Sequence, residues 1–316
     1  MLFTYYLKLT TLIKPYHIRS ISEFHNVFNL PKPEHPLISV VDYAVLIEAK
    51  AHSEINATIA DYYSISMKRG LSEKMRYGQQ DYDFDEGIMY FLAPGQLLQT
   101  NPVRNPDLKP SGWILLIHPD FLWNTSLAKQ IRQYEFFDYS VNEALFLSEK
   151  EETTINGIIQ NIRQEYHTNI DKFSQHIIIS QIETLLNYSE RFYQRQFITR
   201  QITNHNLLNR LEEVLDAYFG NQDLLSKGQP TVQYISGQLN LSPAYLRSML
   251  KLLTGKNTQQ HIHDKLIEKA KEKLSTTDLS VSEIAYELGF EHSQSFSKLF
   301  KTKTDMSPSG FRQAFN

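Results

Sequence analysis

The sequence contains no cysteine. Disulfides, thiolate metal sites and cysteine nucleophiles are therefore excluded, and nothing points to an oxidising compartment. Long apolar runs are also missing. The longest, "SVVDYAVLIEA" and "WILLI", are strand-length and interrupted, well short of the ~18 residues that suggest a membrane span. The opening "MLFTYYLKLTTLIK" has neither a basic n-region nor a small-residue cleavage site, so a signal peptide is not expected and a cytoplasmic location is. It reads equally well as an N-terminal extension. A net positive charge is absent too: the formal value is −3, which does not favour a wholly basic nucleic-acid binder.

What is present is 316 residues, 41% hydrophobic and 21% charged, enough for two domains with their own cores. The charge is uneven. Residues 1–205 carry 19 Lys+Arg against 23 Asp+Glu, whereas residues 228–316 carry 11 against 8. That asymmetry fits a chain in which one module meets a polyanion.

The first half, to about residue 145, is rich in strand-like segments: "DYAVLIEA" (42–49), "DYYSISMK" (61–68), "EGIMYFLAPGQLLQ" (86–99) and "GWILLIHPDFL" (112–122). Pro94–Gly95 marks a turn, and Pro119 ends the last strand. The spacing predicts an antiparallel barrel or sandwich. From Ser148 the pattern turns helical. Glu151 stands three positions on, a capping-box spacing, and Ile155, Ile158, Ile159 and Ile162 repeat at helical intervals. A second helix carries the stripe Ile178, Ile182, Leu185, Leu186, Phe192 and Tyr193. The stripe either packs on the sheet or pairs with its copy in a homodimer. "QFITRQITNHN" (196–206) is polar and without a stripe, and is expected to be an interdomain linker. The fold class predicted is α+β in two domains: residues 1–195, then 207–316, which reads as all-helical from Thr231 onwards.

The last segment contains one pattern twice. Ile235, Leu239 and Leu241 correspond to Ile284, Leu288 and Phe290 at an offset of 49. Leu246, Leu250, Lys251 and Thr254 correspond to Phe296, Phe300, Lys301 and Thr304 at 50. The units, 231–255 and 280–305, each read as helix, turn, helix. In the second, Ser280 and Glu283 form a capping box and Gly289 permits the left-handed turn. In the first, Ser242 is an N-cap with Pro243 behind it. Between them "TQQHIHDKLIEKAKEKLS" is a helix of about four turns. Two recognition helices on a rigid rod can enter successive major grooves, about 34 Å apart, on one face of a duplex.

At Ile284, Ala285, Gly289, Phe290, Phe296, Phe300, Lys301, Pro308, Phe311 and Arg312 the chain resembles the AraC/XylS-type transcription regulators, over roughly residues 206–316. The resemblance implies two helix-turn-helix units joined by a helix, and an N-terminal sensor or dimerisation domain, often a cupin-like β-barrel with trailing helices. Departures are Asp305 where the family usually has Gly, Ser248 where a basic or larger polar group is common, and Ser236 in place of Ala. Asp tolerates the left-handed region, so the same turn is expected at 305.

Residues expected at DNA follow from helix faces. Lys298 and Arg247 are candidates for guanine edges, and Gln294 for adenine. Ser293 and Ser297 are small enough for close approach. Lys251, Lys301, Lys303 and Arg312 are expected at phosphates. Ser242, Ala244, Tyr245 and Ser248 on one recognition helix, and His292 on the other, complete the faces and their N-terminal ends. No metal is expected: the histidines are scattered, and His261 and His263 point in different directions on one helix. Trp113, Tyr62, Tyr63, Met89, Tyr90 and Phe91 line either a ligand pocket or plain core, and no ligand-binding residues are assigned.

These features predict a non-enzymatic, homodimeric regulator of promoter DNA, controlled by a small-molecule effector and meeting RNA polymerase if it activates, without membrane or cofactor. Two alternatives stand beside it. One is a cupin-type enzyme fused to a DNA module; the other is an architectural DNA protein without a sensor. A DNA-repair methyl-acceptor is eliminated by the lack of cysteine.

Overall fold

The computed structural model describes residues 15–50, 55–70, 76–77, 80–81, 87–99, 109–140, 143–167, 173–199, 201–220 and 224–314. The opening segment 1–14, and Arg200 of the expected linker, lie outside them. The chain divides into two units, Met1–Gln196 and Phe197–Asn316.

The first unit runs β1 (Tyr16–Ile18), α1 (Ile21–Val27), β2 (Ile38–Asp42), α2 (Tyr43–Lys50), β3 (Ala57–Ala60), β4 (Tyr63–Arg69), β5 (Arg76–Tyr77), β6 (Gln80–Asp81), β7 (Ile88–Leu92), β8 (Leu97–Gln99), β9 (Ser111–Ile117), α3 (Leu127–Gln130), β10 (Leu145–Phe146), α4 (Glu149–His167) and α5 (Ser174–Thr199). Five strands form an antiparallel sheet in the order β10-β7-β4-β9-β2. Its centre is apolar on both faces. Ile114 and Leu116 join the core made with α1, α2 and Tyr62. Trp113, on the alternate face, donates its ring N–H to Asn156 of α4 at 2.9 Å.

Three features differ from the sequence expectation. The described strands form open sheets rather than a closed antiparallel barrel, and in the second sheet, β1-β3-β8, β1 lies parallel to β3. Spacing alone does not say which strands pair. Gly95, at φ +82°, turns the chain from β7 in one sheet to β8 in the other instead of closing a hairpin. Second, "DYAVLIEA" is helix α2, not a strand. Asp42 decides this, because its carboxylate accepts the N–H groups of Ala44 at 2.8 Å and Val45 at 3.4 Å and so starts a helix at the end of β2. Third, the expected linker 196–206 is helical on both sides of Arg200: residues 196–199 end α5 and residues 201–206 open α6. Gln196 is fully buried. Its amide accepts from Phe146 N at 2.8 Å and donates to the Ala144 carbonyl at 3.2 Å, standing in for the missing neighbour strand of β10.

α4 buries the expected Ile155, Ile158, Ile159 and Ile162, and Glu151 accepts the Ser148 N–H at 2.9 Å. The proposed dimer stripe is internal: Ile178, Ile182, Leu185, Leu186 and Phe192 are buried within the single chain, Leu185 at 0% exposure. These side chains pack within the single chain, and Tyr193 beside them lies 6.1 Å, ring centre to ring centre, from Phe91 of β7. Tyr62, Tyr63, Met89, Tyr90, Phe91 and Trp113 are likewise buried. Phe91 packs on Phe136 at 4.5 Å between ring centres and Tyr63 on Phe137 at 5.2 Å.

The second unit is helical: α6 (Gln201–Gly220), α7 (Leu224–Lys227), α8 (Val232–Leu239), α9 (Pro243–Thr254), α10 (Thr258–Thr276), α11 (Val281–Glu287), α12 (Ser293–Thr304) and α13 (Pro308–Gln313). α10 begins at Asn257, which forms a capping box with Gln260. It buries Ile262, Leu266, Ile267, Ala270 and Leu274, the apolar stripe along its length.

Candidate nucleic-acid interface

The two helix-turn-helix units share backbone chemistry bond for bond. In the first, Asn240 N–H donates to Gly237 O at 3.1 Å and Leu241 N–H to Ser236 O at 2.9 Å. In the second, Gly289 donates to Tyr286 O and Phe290 to Ala285 O, both at 3.0 Å. Asn240 and Gly289 hold left-handed conformations, φ +57° and +78°. Asn is among the few side chains that accept this region, which is why the first unit manages without glycine. Leu239, Leu246 and Leu250 are buried in one copy, and Leu288, Phe296 and Phe300 in the other. Phe290 is half-buried, edge-on to Phe296 with ring centres 5.4 Å apart.

The correspondence runs past the recognition helices. α9 ends at Gly255, φ +73°, and α12 at Asp305, φ +60°, the same turn as expected. The Thr254 hydroxyl donates to Leu250 O and the Thr304 hydroxyl to Phe300 O, both at 2.8 Å. Asn257 then caps α10 and Ser307 caps α13. Each repeat thus includes the start of the helix that follows it, which the apolar pattern alone did not reveal.

Recognition helix α9 is capped by Ser242, whose hydroxyl accepts Tyr245 N–H at 3.2 Å. α12 is capped by exposed His292 without a side-chain bond. Neither α9 nor α12 contains an acidic residue. Gln294, Lys298 and Lys301 on α12, and Arg247 and Lys251 on α9, are exposed; Ser293, Ser297 and Ser248 are half-buried. The structure thus brings the base-edge candidates to the outer faces of their helices.

Four expected contacts are placed otherwise. Tyr245 is 1% exposed and Ala244 is buried; Tyr245 meets Phe197 edge-on, ring centres 5.1 Å apart. An aromatic ring one turn into the helix found apolar cover rather than solvent. Arg312 is not directed outward. Its Nε donates to Leu274 O at 3.2 Å and its Nη2 to Leu279 O at 2.6 Å, tying α13 to the last turn of α10 and the segment after it. Lys303 pairs with Asp264 Oδ1 at 2.8 Å, and Lys256 pairs with Asp264 Oδ2 at 2.8 Å.

Asp264, which the sequence did not single out, therefore joins Lys256, just after the first unit, and Lys303 of the second unit to the rod between them. Partial burial works to raise its pKa, but the bonds from Lys256 and Lys303 prevail and hold it below the usual carboxylate value. No regular spacing links residues 256, 264 and 303, so only the fold exposes the arrangement. His261 bonds the Thr254 hydroxyl at 2.9 Å and His263 the Gln259 amide at 2.9 Å. Burial, then the nearby Lys256 and Lys303 respectively, lower their pKa values. Among the described residues no group of three His, Asp or Glu side chains is placed to hold a metal ion.

A family model described as a helix-turn-helix domain matches residues 235–314. The HTH-type transcriptional activator RhaS of Klebsiella pneumoniae is 30% identical over 141 residues, 44% of this chain and 46% of RhaS. The raffinose operon transcriptional regulatory protein RafR of Pediococcus pentosaceus is 36% identical over 84 residues, 27% of this chain and 30% of RafR. The chain thus spans less than half the length of these curated relatives. Among solved structures, the C-terminal domain of the response regulator yesN from Fusobacterium nucleatum is 31% identical, with a TM-score of 0.30, covering 34% of this chain and 98% of that one. Residues 235–314 of this chain are thus a helix-turn-helix domain of the AraC type.

Proposed function

We propose that the chain is a sequence-specific DNA-binding transcription regulator whose N-terminal unit, read as a cupin-like sensor, responds to a small-molecule effector. The observation that carries this reading is the duplicated unit: two acid-free recognition helices, one before and one after the same rod in the chain. Arg247, Gln294 and Lys298 read base edges. Lys251 and Lys301 hold phosphates and set the register. The effector shifts how the two units are presented to promoter DNA. The protein acts in the cytoplasm as a homodimer through a surface other than the buried face of α5, and meets RNA polymerase where it activates. No helix of the described residues is long and apolar enough to cross a membrane. No catalytic step is assigned.

Genome-wide footprinting of the full chain tests the reading. The expected result is a recurrent motif in promoters with two half-sites about one DNA turn apart. Binding without sequence preference would instead favour an architectural role and overturn it.

A further inference from the structure

The two recognition helices are held differently. Leu246 and Leu250 of α9 have counterparts in Phe296 and Phe300 of α12, and all four are fully buried. Beside them the repeats part company. Tyr245 of α9 is 1% exposed, whereas Ser295, its counterpart at the same offset of 50, is exposed on α12. Tyr245 is covered by a residue outside both repeats. Phe197, 4% exposed, meets it edge-on with ring centres 5.1 Å apart. Such a pair is directional as well as apolar, because the edge of one ring suits the face of another in few orientations. α9 thus has an anchor that α12 lacks at the corresponding position.

Helical phase turns that anchor into a setting for DNA. Tyr245 and Arg247 are two residues apart, about 200° around the helix at 3.6 residues per turn. Burying one directs the other outward, and Arg247 is exposed, as is Lys251 one turn on. Tyr245 also lies in the first turn, where its N–H meets the Ser242 hydroxyl at 3.2 Å. The first turn of a recognition helix is the part that meets base edges, so rotating α9 about its own axis shifts its long side chains against them. Phe197 stands at the start of the second unit. The residue before it, Gln196, bonds the edge of β10 in the first. Both lie on one unbroken helix, α5.

We propose that Phe197 is a positioning residue for the first helix-turn-helix unit: packed on Tyr245, it sets the rotation at which α9 presents Arg247 to DNA. α12 takes no such setting, since Ser295 offers no ring. A displacement of the end of α5 therefore retunes one half-site and spares the other. This deepens the reading of the chain as a regulator whose effector shifts its two units, and rests on it for its regulatory meaning. Part of its test needs no DNA, so the two stand or fall separately.

The experiment compares Phe197→Ala and Phe197→Tyr with the parent, all as full chains. Amide hydrogen exchange without DNA comes first. In Phe197→Ala, exchange should quicken by roughly tenfold or more in α9 and by less than about twofold in α12, and Phe197→Tyr should match the parent. The second readout is affinity for the site that footprinting recovers, with base changes made in each half-site in turn. Arg247→Ala and Lys298→Ala assign the half-sites to α9 and α12. Phe197→Ala should lose about tenfold in discrimination at the α9 half-site and keep it at the other. Phe197→Leu, which retains apolar cover, takes its place should Phe197→Ala fail to fold. Unchanged exchange in α9 would overturn the proposal, as would equal effects on both helices or both half-sites, the mark of a merely structural loss. Footprints without a recurrent motif would sink the regulator reading alone, and the exchange result would still decide this one.

Discussion

Gly289 and Gly228 meet backbone to backbone: a Cβ at position 289 would stand 2.9 Å from the carbonyl carbon of Gly228 and 3.1 Å from the nitrogen of Gln229. Gly289 also holds φ +78°. Gly289→Ala therefore meets two penalties at once, left-handed strain and overlap with backbone that cannot turn aside. The expected loss is about 2–4 kcal/mol in urea unfolding. Gly228→Ala is the control. Its φ is +70°, but its Cβ would meet nothing nearer than 3.9 Å, so only the strain applies, about 1–2 kcal/mol. Equal losses at the two positions would remove the close approach from the account.

Asp305 makes the opposite case. It ends α12 at φ +60°, in the place that Gly255 fills in the first unit, and its carboxylate sits at the negative end of the helix dipole. Asp305→Gly relieves both the conformational penalty and the charge. The expected gain is about 0.5–1 kcal/mol, read as a higher urea midpoint with an unchanged slope. A loss of stability would mean that the Asp side chain supports the turn.

The contrast between these positions shows what the sequence made legible. The C-terminal unit announced itself because its caps, glycine turn and apolar spacing all act locally, within a few residues of Ser280, Gly289 or Ser242. The N-terminal unit did not, because its decisive groups act at long range or against type. Asp42 turns a β-branched run into a helix. Gln196 serves as a surrogate strand for β10 across about fifty residues of chain. Leu185 and its neighbours have the same stripe whether they face a sheet or a partner, and their burial within the single chain is not written in that spacing. At the DNA face the same limit holds. Helical phase identified Lys298 and Gln294, but it could not separate exposed Lys301 from paired Lys303.

That separation predicts a split among the basic residues. Lys251→Ala and Lys301→Ala should each weaken binding to specific and random DNA alike and reduce the salt slope by about one unit. Arg312→Ala should leave the slope nearly unchanged and instead destabilise the fold by about 1–3 kcal/mol, since it loses the bonds that tie α13 to the Leu274 and Leu279 carbonyls. Asp264→Asn releases Lys256 and Lys303 and should steepen the slope. Fluorescence anisotropy across a salt series, paired with urea melts, measures both quantities. A full unit of slope lost in Arg312→Ala would return that residue to the phosphate contacts.

Lys298 tests base reading itself. It is exposed on a helix face without acids, so its removal should not perturb folding. Lys298→Ala should weaken the specific complex by about 1–3 kcal/mol and relax one base position. Selection of binding sites from a random library shows that relaxation directly. An equal loss on specific and random DNA would make Lys298 a phosphate contact.

Lys68 predicts an unusual dependence of stability on pH. In the folded chain its pKa falls from 10.5 to about 7, through burial first and the charge of Lys50 second; unfolded, it regains the ordinary value. Between those limits the unfolded chain holds more protons, so stability must rise with pH. Below about pH 7 both states are charged and the folded one carries the full penalty. Lys50, lowered to about 8, adds to the same slope over the upper part of the window. Tyr43, which faces Lys68, is pushed by burial up to about 12 and does not titrate there. Melting temperatures from pH 6.5 to 9.5 should therefore climb more steeply in the parent chain than in Lys68→Met. Parallel curves for the parent and the variant would show that the Lys68 ammonium is not desolvated at the cost described.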